Sequence, residues 1–326
     1  MHTDLPLEQL RTYRPEVAEP ADFDEFWAST LAEARGAGGR ATSVPADTPV
    51  TALRVEDVTF PGFGGEPVRA WWVRPPSERP LPCVVELLGY GGGRGLPHER
   101  LAWAAAGYAH LVMDTRGQAS TWGSGGGTPD PHGSGPAFPG VMTRGIESPD
   151  RYYFRRLITD AVRAVDHALT RDEVDPDRVV VTGTSQGGGL ALAAGALHHR
   201  VAAVVADVPF LCHFERAVTL TDAAPYAEIT AYLAVHRNAR DQVFRTLSYV
   251  DGVVMARRIT APTMVSVALM DQTCPPSTVF AAANAVPRPP TVEVYPFNDH
   301  EGGGQEQWVR AAGWLGSVLG LDGGGG

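Results

Sequence analysis

Five residues, Gly183-Thr184-Ser185-Gln186-Gly187, stand between a mostly apolar run, Arg178 to Thr182, and an alanine-rich run, Gly188 to Leu197. This pattern predicts a buried strand, a tight turn and a helix. Such a turn lifts a serine hydroxyl to the top of a sheet and aims a helix N-terminus at the same place. The flanking glycines let the backbone take a strained conformation and let another chain approach closely. A chain built around this unit is constrained to pack helices against a parallel strand.

The rest of the sequence repeats that grammar. Short apolar runs at Pro82 to Leu88, Ala109 to Met113, Val201 to Val208, Thr263 to Ala268 and Thr291 to Tyr295 read as strands. Helical spacing falls between them at Leu101 to Gly107, Arg151 to Thr170, Pro276 to Ala285 and Gln305 to Leu319. Near the start, Pro20 to Ala34 reads as a helix. Val50 to Phe60 and Val68 to Val73 read as a hairpin around Pro61-Gly62-Phe63-Gly64-Gly65. Alternating strands and helices predict an α/β fold, a doubly wound, mostly parallel sheet covered on both faces, as one domain over residues 1–320. Residues 1–49 form an N-terminal extension. A helical insertion at about 212–260 interrupts the alternation near the edge where ligands bind. Residues 116–149, rich in Gly, Pro and Ser, read as a functional or disordered loop. The tail 321–326 reads as disordered.

Composition removes several classes of function. With 27 basic against 37 acidic residues the net charge is −10, which disfavours nucleic acid and anionic membranes as partners. No apolar run approaches about 20 residues, so no membrane span is expected. The N-terminus lacks the pattern of a signal peptide, and Cys83, Cys212 and Cys274 form neither a disulfide framework nor a zinc pattern; a cytoplasmic location is the expectation. All 27 basic residues are arginine. The absence of lysine excludes a Schiff base, a P-loop lysine and a Ser-Lys dyad.

A serine hydroxyl needs a base to take its proton and an acid to orient that base. On doubly wound sheets the chain order is serine, acid, histidine. Asp271 follows the strand Thr263 to Ala268 and is the first candidate acid. Asp207, also at a strand end, is the second, and Asp251 lies in the insertion. His300 follows the last strand, where the base is expected, whereas the other nine histidines read as surface or core residues. The oxyanion donors are assigned to the backbone N–H groups of Gln186 and of Tyr90, in the glycine-rich turn Leu88 to Gly93. Cys274 reads as a buried, inert thiol. Neither metal nor organic cofactor is required.

In Arg116-Gly117-Gln118, Gly183-x-Ser185-Gln186-Gly187 and His300-Glu301 the chain resembles the acetyl xylan esterase and cephalosporin C deacetylase family of carbohydrate esterases. The N-terminal Asp4-Leu5-Pro6-Leu7-Glu8-Gln9-Leu10, then Tyr13-Arg14-Pro15, Phe23-Asp24-Glu25-Phe26-Trp27 and the segment from Met270-Asp271 through Cys274-Pro275-Pro276 to Ala282 fit as well. The likeness runs from about Asp4 to Leu319. It implies an α/β-hydrolase fold, a Ser185–Asp271–His300 triad and oxyanion donors at Tyr90 and Gln186, with Arg116 and Gln118 bracing the active-site loops. It further implies deacetylation of short xylo-oligosaccharides and cephalosporin-type esters, and a cytoplasmic, ring-like hexamer. The sequence departs from the family at Leu88, where a histidine is usual. A broader carboxylesterase or a serine peptidase is the alternative on the same fold. A prolyl-cleaving peptidase usually adds an N-terminal domain, for which the residues before Val50 are too few. A non-catalytic binding protein would normally lack a triad member, and none is missing here.

Overall fold

The computed structural model describes residues 4–133 and 135–321. A short helix α1 (Leu7–Leu10) and helix α2 (Phe23–Gly36) lead into strands β1 (Thr42–Pro45), β2 (Arg54–Pro61), β3 (Pro67–Arg74) and β4 (Leu81–Leu87). Then come α3 (Ala102–Ala105), β5 (Ala109–Met113), α4 (Tyr153–Ala168), β6 (Val174–Thr184), α5 (Gln186–Leu197) and β7 (Ala203–Asp207). Four helices follow: α6 (Phe214–Leu220), α7 (Tyr226–Val235), α8 (Arg240–Ser248) and α9 (Gly252–Ala256). The chain closes with β8 (Thr263–Ala268), α10 (Pro276–Ala285), β9 (Thr291–Tyr295) and α11 (Gly304–Val318).

The nine strands form one sheet in the order β1-β2-β3-β5-β4-β6-β7-β8-β9. The first three pair antiparallel, β3 meets β5 antiparallel, and the remaining pairs are parallel. From β4 the chain crosses to β5 on one side and later to β6 on the other. Ligands bind where the order reverses in this way, beyond the carboxyl ends of the strands. The turn after β4 and the turn carrying Ser185 after β6 both lie there.

Successive side chains of a strand point to opposite faces. Val85 and Val181 therefore pack with Leu157, Ile158 and Leu190 under α4 and α5, while Val84, Val180 and Val205 pack with Trp103, Ala311 and Leu315 under α3 and α11. Burial on both faces is why β4, β5, β7, β8 and the Val179–Val181 part of β6 read as nearly continuous apolar runs; the first half of β6, through Arg178, is polar and partly exposed.

The expected strands at Ala109–Met113, Thr263–Ala268 and Thr291–Tyr295 and the helix Pro276–Ala285 match residue for residue. Differences have local causes. The hairpin's first strand begins at Arg54 rather than Val50, because its partner ends at Arg74, before Pro75 and Pro76, and leaves nothing for residues 50–53 to pair with. Helix α3 is shorter than the expected Leu101 to Gly107, and Gly107 leaves it at φ 95°. Strand β1 was not anticipated; all four of its residues are exposed, so they show no alternation.

Residues 116–149, for which disorder was one reading, are held by buried carboxylates outside the undescribed Ser134. Asp114 accepts from the backbone of Gly127 and Thr128 and from the Thr128 hydroxyl at 2.7, 2.8 and 2.9 Å. Asp130 takes both ends of the Arg156 guanidinium at 2.8 Å. Burial opposes ionisation of Asp130, but Arg156 and Arg116 outweigh it and hold the carboxyl below its usual range. Leu321, expected in a disordered tail, is placed, with its N–H donating to the Gly316 carbonyl at 2.8 Å. The rest of that tail, 322–326, lies outside the described residues. Among the described residues no helix is long and apolar enough to cross a membrane.

Candidate active site

Ser185 sits between β6 and α5 with φ 59° and ψ −120°. A non-glycine residue in this region carries about 1–3 kcal/mol of backbone strain. The strain is held by hydrogen bonds on both sides. The Ser185 N–H donates to the Asp207 carbonyl at 2.9 Å, and the Ser185 carbonyl accepts from Phe210 at 2.9 Å and Gly189 at 3.0 Å. A Cβ on Gly187 would overlap the Leu87 carbonyl, so glycine is what lets α5 start against the end of β4.

The three candidates of the triad meet. His300 Nε2 lies 2.9 Å from Ser185 Oγ, and its Nδ1 lies 2.8 Å from Asp271 Oδ2. Asp271 is buried, and its other oxygen accepts from the N–H groups of Thr273 and Cys274, each at 2.8 Å. Those bonds orient the carboxylate toward the imidazole. The alternative acid, Asp207, accepts from Gln307 at 2.8 Å instead, and burial pushes its carboxyl up to about 6. Asp251 caps α9 and accepts from His213, Phe214 and Val253. Asp271 is thus the carboxylate that reaches His300.

Asp271, Cys274 and His300 also place their ligand-type atoms within 4.8 Å of one another. This set suits a metal poorly. Burial, followed by the Asp271 charge, pushes the Cys274 thiol well above its usual range, so it stays protonated, and both Asp271 oxygens already accept hydrogen bonds.

Gln186 is the first residue of α5, where a backbone N–H has no partner within the helix. The N–H of Tyr90 has no acceptor among the described residues. Gln118 ties the two donors' supports together. Its Oε1 accepts from the Gly91 N–H at 2.6 Å, and its Nε2 donates to Gln186 Oε1 at 2.8 Å and to the Tyr153 hydroxyl at 2.9 Å. Gln186 Nε2 in turn donates to the carbonyl of Leu88 at 3.1 Å. Leu88 therefore contributes through its backbone, which any residue at that position supplies. Arg116 is fully buried and binds Asp160, Glu66 at 2.7 Å and Asp130 at 3.4 Å.

A cleft of about 520 Å³ opens over Ser185 and His300. Tyr90, Trp122, Ala224 and Pro225 help to line it, which brings the helical insertion to the rim of the site. Three supporting residues escaped the sequence reading. Trp122 donates through Nε1 to the Tyr90 carbonyl at 2.6 Å. Glu228 accepts from the Tyr90 hydroxyl at 2.7 Å, and the Tyr153 hydroxyl donates to the Arg116 carbonyl. An aromatic residue in a glycine-rich loop was the only signal for Trp122. Nothing local distinguishes Glu228 or Tyr153 from other helix residues.

Residues 1–318 match the model of a family described as acetyl xylan esterase (AXE1). The chain belongs to the acetyl xylan esterase family. This is a family of carboxylic ester hydrolases on the α/β-hydrolase fold. The structure of an acetyl xylan esterase from Paenibacillus sp. R4 is similar at 40% identity with a TM-score of 0.89, covering 95% of this chain and 99% of that one. Acetyl xylan esterase 1 from Thermoanaerobacterium sp. JW/SL YS485 is similar at 34% identity and a TM-score of 0.89, with 97% and 99% covered. The curated acetyl esterase Axe7A of Xylanibacter ruminicola is 27% identical over 315 residues, and the aligned region takes in 88% of this chain but 65% of that longer protein.

The bracing by Gln118 yields a prediction for this family member. Gln118→Leu removes the acceptor that holds Gly91 and the donor that holds Gln186. It is expected to lower kcat for an acetyl ester by about 10- to 100-fold with little change in KM, if the candidate oxyanion donors are thereby misplaced rather than lost. Steady-state kinetics on p-nitrophenyl acetate check this; a raised KM at constant kcat would place Gln118 in substrate binding instead.

Proposed function

We propose that this protein is a serine esterase that removes acetyl groups from small acetylated carbohydrates by two-step acyl transfer. The observation that carries the reading is the unbroken row Asp271–His300–Ser185, with bonds of 2.8 and 2.9 Å, at the mouth of a cleft. His300 Nε2 takes the Ser185 proton as Oγ attacks the acetyl carbonyl. Asp271 holds Nδ1–H, which fixes the tautomer and supports the imidazolium charge. The N–H groups of Tyr90 and Gln186 receive the developing oxyanion. His300 then gives its proton to the departing sugar oxygen. A water enters, loses a proton to His300 and attacks the acetyl-serine carbonyl; as the acyl C–O bond breaks, His300 returns that proton to Ser185 Oγ and acetic acid leaves.

The same reading extends to cephalosporin-type acetyl esters, to a hexamer and to work in the cytoplasm, all three carried by the family resemblance. Sedimentation equilibrium of the full chain reads the oligomeric state.

A broader carboxylesterase is the second reading, favoured by the open mouth of the cleft. A panel of p-nitrophenyl esters of rising chain length, run beside acetylated xylobiose, cephalosporin C and a p-nitroanilide, separates the two. The acetyl ester is expected to give the highest kcat/KM, with a drop of at least about tenfold by butyrate, since the bulky Tyr90, Trp122 and Pro225 line the cleft over Ser185. Equal rates from acetate to octanoate would favour the broader enzyme. Faster cleavage of the anilide would favour a peptidase.

A further inference from the structure

Asp207 closes β7, and its main chain and side chain serve different parts of the triad. Its carbonyl accepts the Ser185 N–H at 2.9 Å, which holds the turn of the nucleophile. Its carboxyl accepts from Gln307 Nε2 at 2.8 Å. Gln307 is buried and ends the first turn of α11, the helix that follows the loop bearing His300. Its Oε1 accepts from the Tyr295 hydroxyl at 2.8 Å, at the end of β9, where that loop begins. One amide therefore joins the ends of β7 and β9 and the start of α11.

The amide has a single orientation open to it. An ionised carboxylate only accepts, so Nε2 must face Asp207 and Oε1 must face Tyr295. Burial pushes the Asp207 carboxyl up, and the donors that oppose this, Gln307 and Ser266, are both neutral. Removing Gln307 from such a carboxyl is costly, so the two side chains hold each other in place.

The loop is packed closely around this bridge. At Gly303, with φ 87°, a Cβ would overlap the Tyr295 ring; at Gly302, with φ 56°, it would press on Val208, the residue after Asp207. Toward the acid, the Met270 N–H donates to the Asn298 carbonyl at 3.1 Å and the Gln272 N–H to Asp299 Oδ1 at 3.2 Å. Those bonds set His300 against Asp271. They do not reach β7, on which the Ser185 turn rests; the Asp207–Gln307 bond does.

We propose that Asp207, acting through Gln307, is a positioning residue that holds the His300 imidazole in line with the Ser185 hydroxyl. This role rests on the serine-esterase reading above and adds the part of the scaffold that fixes the 2.9 Å contact between the two. Loss of the bridge lets the imidazole drift from the line of proton transfer. That lowers kcat and leaves ground-state binding alone.

Steady-state kinetics of full-length variants on p-nitrophenyl acetate, with thermal unfolding alongside, test the role. Gln307→Met keeps the length of the side chain and removes both bonds; it is expected to lower kcat about 10- to 100-fold, with KM within about twofold of wild type. Asp207→Leu should lose as much. Asp207→Asn, whose Oδ1 still accepts from Gln307, should recover to within about threefold of wild type. Combining Asp207→Leu with Gln307→Met should cost no more than the larger single loss, since both remove the same bond. If neither Gln307→Met nor Asp207→Leu folds, Tyr295→Phe decides, with an expected loss of about three- to tenfold in kcat. A folded Gln307→Met with wild-type kcat, a loss that falls on KM instead, or an Asp207→Asn as slow as Asp207→Leu overturns the role, as does an unchanged kcat in Tyr295→Phe when that variant decides. A wild type that leaves acetyl esters intact sinks the esterase reading; the positioning role is then read from fluorophosphonate labelling of Ser185, which Gln307→Met is expected to slow by about the same factor.

Discussion

Ser185→Ala is expected to lower kcat on acetyl esters by about five to six orders of magnitude, the loss seen when a nucleophile is removed from a concerted triad. The drop should be this large because, among the described residues, Ser185 Oγ is the hydroxyl that His300 Nε2 hydrogen-bonds, at 2.9 Å. The fold should survive. The Oγ makes no bond to the backbone, and the strained turn is held by the main-chain bonds to Asp207, Phe210 and Gly189, which alanine retains. Thermal unfolding of the variant should therefore shift by no more than a few degrees while turnover vanishes. A variant that keeps more than about a hundredth of wild-type kcat would place the chemistry elsewhere.

Asp271→Asn is expected to cost about 10⁴ in kcat with KM little changed. The asparagine Oδ1 can still accept from Thr273 and Cys274, as the aspartate does now. Its amide nitrogen then faces His300 Nδ1 and donates to it. Nδ1 must become the acceptor, the ring proton moves to Nε2, and the nitrogen facing Ser185 can no longer take a proton. The loss comes from the wrong tautomer rather than from a moved side chain. Single-turnover kinetics would show slowed acylation. A variant within tenfold of wild type would mean that another carboxylate serves His300.

Most of the architecture could be read from the chain, because the central strands are buried on both faces and carry little but apolar residues. The serine turn was equally legible, since a strand, a small residue cluster and an alanine-rich helix follow one another without a gap. The acid was less so. Asp207 and Asp271 both end strands on the same rim, and only the direction of each carboxyl, toward Gln307 or toward His300, separates them. Backbone supports were invisible for a different reason. Gln118 was singled out through the family likeness, but its bonds to Gly91 and Gln186 join segments 27 and 68 residues apart. Glu228 reaches Tyr90 across 138 residues. No local pattern encodes such pairs. Strand β1 escaped because it is wholly exposed and pairs along one edge only.

The central claim is that His300 makes the hydroxyl of Ser185 nucleophilic. Treatment of the native protein with a fluorophosphonate, followed by peptide mass spectrometry, addresses it at the atom concerned. The account predicts one modified residue, Ser185, labelled in step with loss of acetyl ester hydrolysis, and labelling slowed by at least about a thousandfold in His300→Ala. Full activity with Ser185 unmodified, or a label on another residue that tracks the loss of activity, would contradict it.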